Sequence, residues 1–175
     1  KEIYGFNPKN KFYLDKFSNK LCGFYRKGHF RGVINVMNRL LEIIKPKKIF
    51  MGKKDYQQLY LIKKFISKKK IKSKVIECET IREKNGVACS TRNSNLNFRE
   101  YKIASKIYYL LRNNKKSCFK DLSNIKKTIL KFGVNKIDYL EILNIKTLKK
   151  PKSYKENFKI FISYYLGKTR LIDNI

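Results

Sequence analysis

The sequence is poor in the residues that build metal centres. It has one histidine, His29, and four cysteines, Cys22, Cys78, Cys89 and Cys118, set far apart with no C-x-x-C pair. That spacing argues against a zinc site and gives no sign of a disulfide framework. Free thiols in a reducing compartment are the expectation. No apolar run approaches the roughly 20 residues of a membrane-spanning helix, and Lys1 to Asn10 lacks an apolar signal core. A cytoplasmic protein without membrane partners is expected. Several familiar motifs are missing too: there is no G-x-G-x-x-G, no H-E-x-x-H and no G-x-S-x-G. Gly167-Lys168-Thr169 has the ending of a phosphate-binding P-loop, but Ile162 stands where its first glycine is required.

Acidic residues are also scarce. Against 43 Lys and Arg there are 13 Asp and Glu, a formal net charge of +30. A basic nucleic-acid-binding protein is one reading of such a balance. The composition supplies another. The cations are mostly lysine, tryptophan is absent, and the only alanines are Ala88 and Ala104, whereas Ile, Asn, Tyr and Phe abound. Lys, Ile, Asn, Tyr and Phe have A/T-rich codons, so an AT-rich genome accounts for the charge without a polyanion. No specific nucleic-acid partner is therefore expected. With 175 residues, 42% of them hydrophobic, the chain can bury a core and form one domain or one and a half.

Periodicity orders the first half. Val33, Met37, Leu40, Leu41 and Ile44 share a helical face over Gly32 to Lys45, and Pro46 ends that helix. Lys48 to Gly52 reads as a short buried strand. Asp55 is placed to open a helix through Lys68, with Leu59, Ile62, Phe65 and Ile66 inward. Ser73 to Glu79 reads as a second strand. Helix, strand, helix, strand at this spacing suggests a parallel sheet with crossover helices, whose ligands sit beyond the carboxyl ends of the strands.

The second half begins with a polar loop, Thr80 to Asn95, read as a hinge. Asn97 and Glu100 form a capping-box pattern ahead of a helix to Arg112, with Ile103, Ile107, Leu110 and Leu111 inward. A further helix is expected over Phe119 to Phe132, ended by Gly133. Strands follow over Ile137 to Leu143, Phe158 to Leu166 and Thr169 to Ile172. The expected class is α/β, part of a Rossmann-like domain over residues 1–88 followed by a small α+β domain with an antiparallel sheet over 89–175.

Two segments concentrate the chemistry. Gly52-Lys53-Lys54-Asp55-Tyr56-Gln57-Gln58 sets lysines, an acid and amides at a strand-to-helix turn. Lys54 would offer a point cation to phosphate. Asp55 would cap the helix, accept a ribose hydroxyl, or do both. Gln58 would reach a polar substrate. Cys89-Ser90-Thr91-Arg92-Asn93 offers hydroxyls and a guanidinium fork for phosphate, although Ser, Thr and Asn also abound in plain turns. Arg26 and Arg31 flank Gly28-His29-Phe30, which is either an anion-holding loop or a helix entry, with His29 read as structural.

Together these segments resemble the pantothenate synthetase (pantoate–β-alanine ligase) family. Leu21 to Val33 is similar to its L-x-G-x-x-R-P-G-H-F-R-G-V stretch, with Lys27 for proline. The heptad is similar to G-E-K-D-Y-Q-Q, with Lys53 for glutamate. Thr80 to Asn93 is similar to T-x-R-E-x-D-G-L-A-x-S-S-R-N, and Gly167 to Asn174 to the closing G-x-x-R-L-I-D-N. Lys1-Glu2-Ile3-Tyr4 resembles a family segment that continues with proline, where Gly5 stands here.

The resemblance implies a Rossmann-like nucleotide domain with a smaller domain covering it, and a homodimer. It implies ATP as substrate with Mg²⁺, and formation of pantothenate from pantoate and β-alanine through a pantoyl adenylate. Gly52, Lys53, Lys54 and Asp55 would belong to the ATP site, and the backbone of Ile81 would meet adenine. Cys89, Ser90, Thr91 and Arg92 would form the phosphate loop, a counterpart of the K-M-S-K-S loop of related nucleotidyl transferases. Lys54, Ser90, Thr91 and Arg92 would be catalytic, and Gln58 and Arg26 would serve pantoate. The family's H-x-G-H motif is absent from these 175 residues. The chain is accordingly expected to be a fragment, inactive alone, with a non-catalytic remnant as the alternative.

Overall fold

A computed structural model describes residues 14–175. The Lys1–Tyr4 resemblance lies outside the described residues. The chain divides into two compact units, Lys1–Glu79 and Thr80–Ile175. The sequence reading sets its boundary between residues 88 and 89; the compact units meet between Glu79 and Thr80.

In the first unit a 3-10 turn, Lys16–Asn19, and a single helical turn α1, Cys22–Tyr25, lead to helix α2, His29–Ile44. This helix starts three residues ahead of the expected Gly32, because Gly28 takes a left-handed conformation (φ +79°) that lets the chain turn straight into it. Phe30, Ile34, Asn38 and Leu41 are its buried residues. Ile44, expected inward, lies at the last turn and is exposed. Lys45 leaves the helix at φ +47°, and Pro46 follows.

Strand β1, Lys48–Gly52, and strand β2, Lys74–Cys78, are joined by helix α3, Tyr56–Lys68. They pair in parallel, from Lys48 opposite Lys74 to Gly52 opposite Cys78. Ile49, Met51 and Val75 pack against Ile34, Leu41, Ile62, Phe65 and Ile66. Phe50 points the other way and is 69% exposed, as strand alternation requires.

In the second unit helix α4, Phe98–Asn113, opens with the expected capping box. The Glu100 N–H donates to Asn97 Oδ1 (3.0 Å), and the Asn97 N–H donates to Glu100 Oε2 (2.9 Å). The single helix expected over Phe119 to Phe132 is two, α5, Lys115–Lys120, and α6, Leu122–Lys131. Asp121 makes the break. Its backbone leaves the helical region (φ −143°, ψ 82°), and its carboxylate accepts the Asn124 N–H at 3.0 Å, so it caps α6 instead of continuing α5. Gly133, at φ +100°, follows the end of α6.

Strands β3, Lys136–Asn144, β4, Phe158–Leu166, and β5, Thr169–Asn174, form an antiparallel sheet in the order β3-β4-β5. Ile160, Ile162 and Leu166 of β4 pack with Ile107, Leu111 and Ile129 of the helices. Gly167-Lys168 is the tight β4–β5 turn, so the P-loop look-alike is a hairpin. The architecture is mixed α/β, a parallel pair followed by a small antiparallel sheet, as expected.

Candidate functional site

Each unit carries its own group of candidate residues. In the first, Gly52 ends β1, and a 3-10 turn, Lys53–Asp55, delivers the chain into α3. Asp55 occupies the N-cap position of α3 but makes no side-chain capping bond. Lys54 Nζ lies 3.8 Å from its carboxylate. The capping alternative is therefore not realised, and this carboxylate stands at the strand's carboxyl end beside a half-buried lysine. Lys53 behaves differently. Its ammonium is hydrogen-bonded to Glu79, just beyond β2, and this bond holds its pKa above the ordinary lysine value.

The two glutamines divide their tasks. Gln57 is buried and donates through Nε2 to the carbonyls of Phe17 and Lys20, both at 2.7 Å. It ties α3 to the segment that leads into α1. Gln58, on the next position of the helix, is half-buried, and its side chain makes no hydrogen bond among the described residues. Tyr56 is half-buried, and burial together with Glu77 raises its pKa. Arg26 is exposed at the end of α1 and lies 2.9 Å from His29 Nε2. His29 thus has a hydrogen-bond partner and also packs on Phe30 at 4.9 Å.

In the second unit Thr80 to Asn95 is more ordered than the hinge read from sequence. Arg82 and Ala88 form an antiparallel bridge, with the Cys89 N–H donating to the Ile81 carbonyl at 3.0 Å. Ile81 is 75% exposed. After Cys89, itself exposed, the chain enters a 3-10 turn, Thr91–Asn95. Ser90 caps it, its Oγ accepting the Arg92 N–H at 3.3 Å. Thr91 and Arg92 are exposed, and neither side chain has a hydrogen bond or ion pair among the described residues.

Sequence reasoning gave no role to the residues that fix this loop. Arg82 donates to both carboxylate oxygens of Asp173 (2.7 and 3.0 Å) and to the Gly86 carbonyl (3.0 Å). Its guanidinium also lies 4.3 Å from the centre of the Tyr108 ring. Burial works against that charge, but the bonds to Asp173 outweigh it and raise the arginine pKa. The T-x-R-E and R-L-I-D-N segments are thus joined across 91 residues. An arginine in one and an aspartate in the other were the available signal. Among the described residues no group of three or more His, Cys, Asp or Glu side chains could hold a metal ion, and no helix is long and apolar enough to cross a membrane.

The family model for pantoate-beta-alanine ligase matches residues 1–175. The chain belongs to that family. It is 38% identical to the pantothenate synthetase of Clostridium botulinum (strain ATCC 19397 / Type A) over 186 aligned residues, covering 97% of this chain and 66% of that protein. It is 37% identical to the Fervidobacterium nodosum enzyme, covering 96% of this chain and 63% of that one. Among solved structures it is similar to the Francisella tularensis pantoate-beta-alanine ligase complexed with beta-gamma ATP and beta-alanine. The TM-score is 0.76 at 35% identity, covering 96% of this chain and 59% of that one. The Thermus thermophilus pantothenate synthetase gives a TM-score of 0.75 at 25% identity, covering 96% and 64%. The chain thus spans 59–66% of the length of these relatives.

Proposed function

We propose that this chain serves the ATP-dependent condensation of (R)-pantoate with β-alanine, in the cytoplasm and as a homodimer. The carboxylate of pantoate attacks the α-phosphorus of ATP, and pyrophosphate leaves. The amine of β-alanine then attacks the acyl carbonyl of pantoyl adenylate, giving pantothenate and AMP. Mg²⁺ would arrive on the nucleotide phosphates as part of the substrate, the way it is commonly carried in phosphoryl-transfer sites.

The observation that carries the reading is the division of labour at the start of α3. Asp55 sits at the cap position without capping, and Gln58 has no bond while Gln57 is consumed by the backbone. Polar groups left over at the carboxyl end of a parallel strand are where ligands bind in such sheets. In this reading Gly52 gives the nucleotide close backbone approach, Lys54 neutralises charge that builds as pyrophosphate leaves, and Asp55 accepts from the ribose. Lys53 stands in the ATP site with its charge already met by Glu79. Gln58 and Arg26 recognise pantoate. Ile81 offers its backbone to adenine, and Cys89, Ser90, Thr91 and Arg92 receive the phosphates.

The test is pantoate-dependent ATP–pyrophosphate exchange. The 175 residues hold one histidine and no H-x-G-H. Stabilisation of a transferring phosphoryl group needs its donors in place, so the purified chain alone should show no exchange. When the chain is fused behind the amino-terminal third of the Clostridium botulinum relative, exchange should appear. Lys54→Met or Arg92→Ala in that fusion should lower its rate by about a hundredfold. Full exchange by the isolated chain would overturn its expected inactivity, full exchange by the Lys54→Met fusion would sink the role given to Lys54, and no exchange by the unaltered fusion would sink the functional reading.

A further inference from the structure

The loop Ser90-Thr91-Arg92 is tied to its unit through the buried side chain of the next residue, which touches no proposed ligand. Within the loop the bonds are local: Ser90 Oγ accepts the Arg92 N–H in an exposed bond (3.3 Å), and the Ser90 carbonyl accepts the Asn93 N–H (3.0 Å). Such bonds compete with water and fix little. Asn93 is the exception. It is 7% exposed, and its Nδ2 donates to Glu83 Oε1 at 2.7 Å and to the Ala88 carbonyl at 3.1 Å. Both partners are acceptors, so they demand the amide's NH₂ and fix its orientation.

The acceptors are themselves anchored. The Glu83 N–H donates to the Val87 carbonyl (2.9 Å), and the Gly86 N–H donates back to the Glu83 carbonyl (2.8 Å). Arg82, next to Glu83, is held by Asp173. Bonds therefore run from β5 through Arg82 into the Arg82–Ala88 turn, and from Glu83 to Asn93.

We propose that Asn93, with Glu83 as its acceptor, is the positioning residue for the Arg92 phosphate contact. The inference rests on the nucleotide reading above. Asn93 fixes the backbone directly behind Arg92, whose guanidinium then meets an anion without the loop having to order first. Ordering a loop on binding costs affinity that a pre-set loop keeps. The charge of Glu83 strengthens the bond that does the setting.

The experiment exchanges donor and acceptor. Asn93→Asp removes the NH₂ and sets a carboxylate against Glu83. Glu83→Gln alone keeps a neutral acceptor. The double variant Asn93→Asp/Glu83→Gln restores a donor–acceptor pair with the polarity reversed and leaves the net charge unchanged. Amide hydrogen exchange over residues 89–93 reads the loop directly, and ATP titration reads its consequence.

In Asn93→Asp the loop amides should exchange about tenfold faster or more, the factor that loss of a charge-assisted bond implies. ATP affinity should fall with them, while global melting changes far less. Glu83→Gln should give a smaller increase of the same kind, which keeps the inference testable if Asn93→Asp fails to fold. The double variant should recover part of both readouts, because it restores the pair with residue 83 while the Ala88 carbonyl stays without its donor. Unchanged exchange over 89–93 in the single variants, or a double variant no better than Asn93→Asp, would overturn the proposal. If the loop responds as described but the unaltered chain binds no ATP, Asn93 still sets the loop, but its role toward phosphate falls with the nucleotide reading.

Discussion

Neighbouring residues of like type have separate tasks here. Gln57 and Gln58 look interchangeable in sequence, yet only Gln57 is buried with two backbone carbonyls to satisfy. Gln57→Ala strands both carbonyls and should cost about 1–3 kcal/mol of stability, read as a lower denaturant midpoint. Gln58→Ala should leave the midpoint alone and, in the active fusion, raise the pantoate concentration needed for half-maximal exchange. Equal effects on stability would contradict the division. The thiols separate in the same way. Burial lifts the Cys118 pKa from 9.0 to about 11, whereas Cys89 is exposed. In the native chain Cys89 should react with a thiol reagent well before Cys118. A thiol whose pKa is raised by folding favours the folded state only while both states are neutral. The unfolded chain loses that proton first, so stability falls as pH rises from about 9 toward 11. The stability advantage of the native chain over Cys118→Ala should therefore shrink across that window in denaturation at stepped pH.

At the scale of elements, the capping box of α4 was legible because both of its bonds are local, between Asn97 and Glu100. The bounds of strand β1 were legible because a glycine and a proline bracket it, but it was read as buried and none of its five residues is. The break at Asp121 was not, since the apolar spacing runs on through it and only the competing cap bond decides. The order within Thr80 to Asn95 was hidden for another reason. Its partners, Asp173 and Tyr108, lie far along the chain, and a polar, glycine-containing segment reads as a loop whether or not distant residues pin it. Gly86 shows the constraint. Its φ is +85°, and a Cβ there would lie 2.1 Å from the Tyr108 ring. Gly86→Ala combines backbone strain with a clash and should cost roughly 1–3 kcal/mol or more, visible as a lower melting temperature and faster amide exchange over residues 82–89. A melting temperature equal to that of the native chain would contradict the packing of this turn on α4.

At the scale of the whole molecule, the net charge of +30 gave the boldest signal in the sequence and the least specific one. Several of its cations are met by acids of the same unit: Lys53 by Glu79, Lys63 by Glu77, Arg82 by Asp173 and Arg170 by Asp138. The candidate site was legible mainly as short motifs in order. Which member of each motif stays available to a ligand, Asp55 and Gln58 rather than Gln57, Arg92 rather than Asn93, depended on long-range bonds that spacing cannot reveal. The central claim, a proposal, is that the leftover groups of each unit serve nucleotide binding. The most direct measurement is amide hydrogen exchange of the chain with and without a non-reactive pantoyl adenylate analogue, since an enzyme binds such an intermediate more tightly than its substrates. Protection should be concentrated at residues 52–58, 81 and 89–92 and be lost in Lys54→Met and Arg92→Ala. Protection confined to other segments, or full protection retained in both variants, would contradict the account.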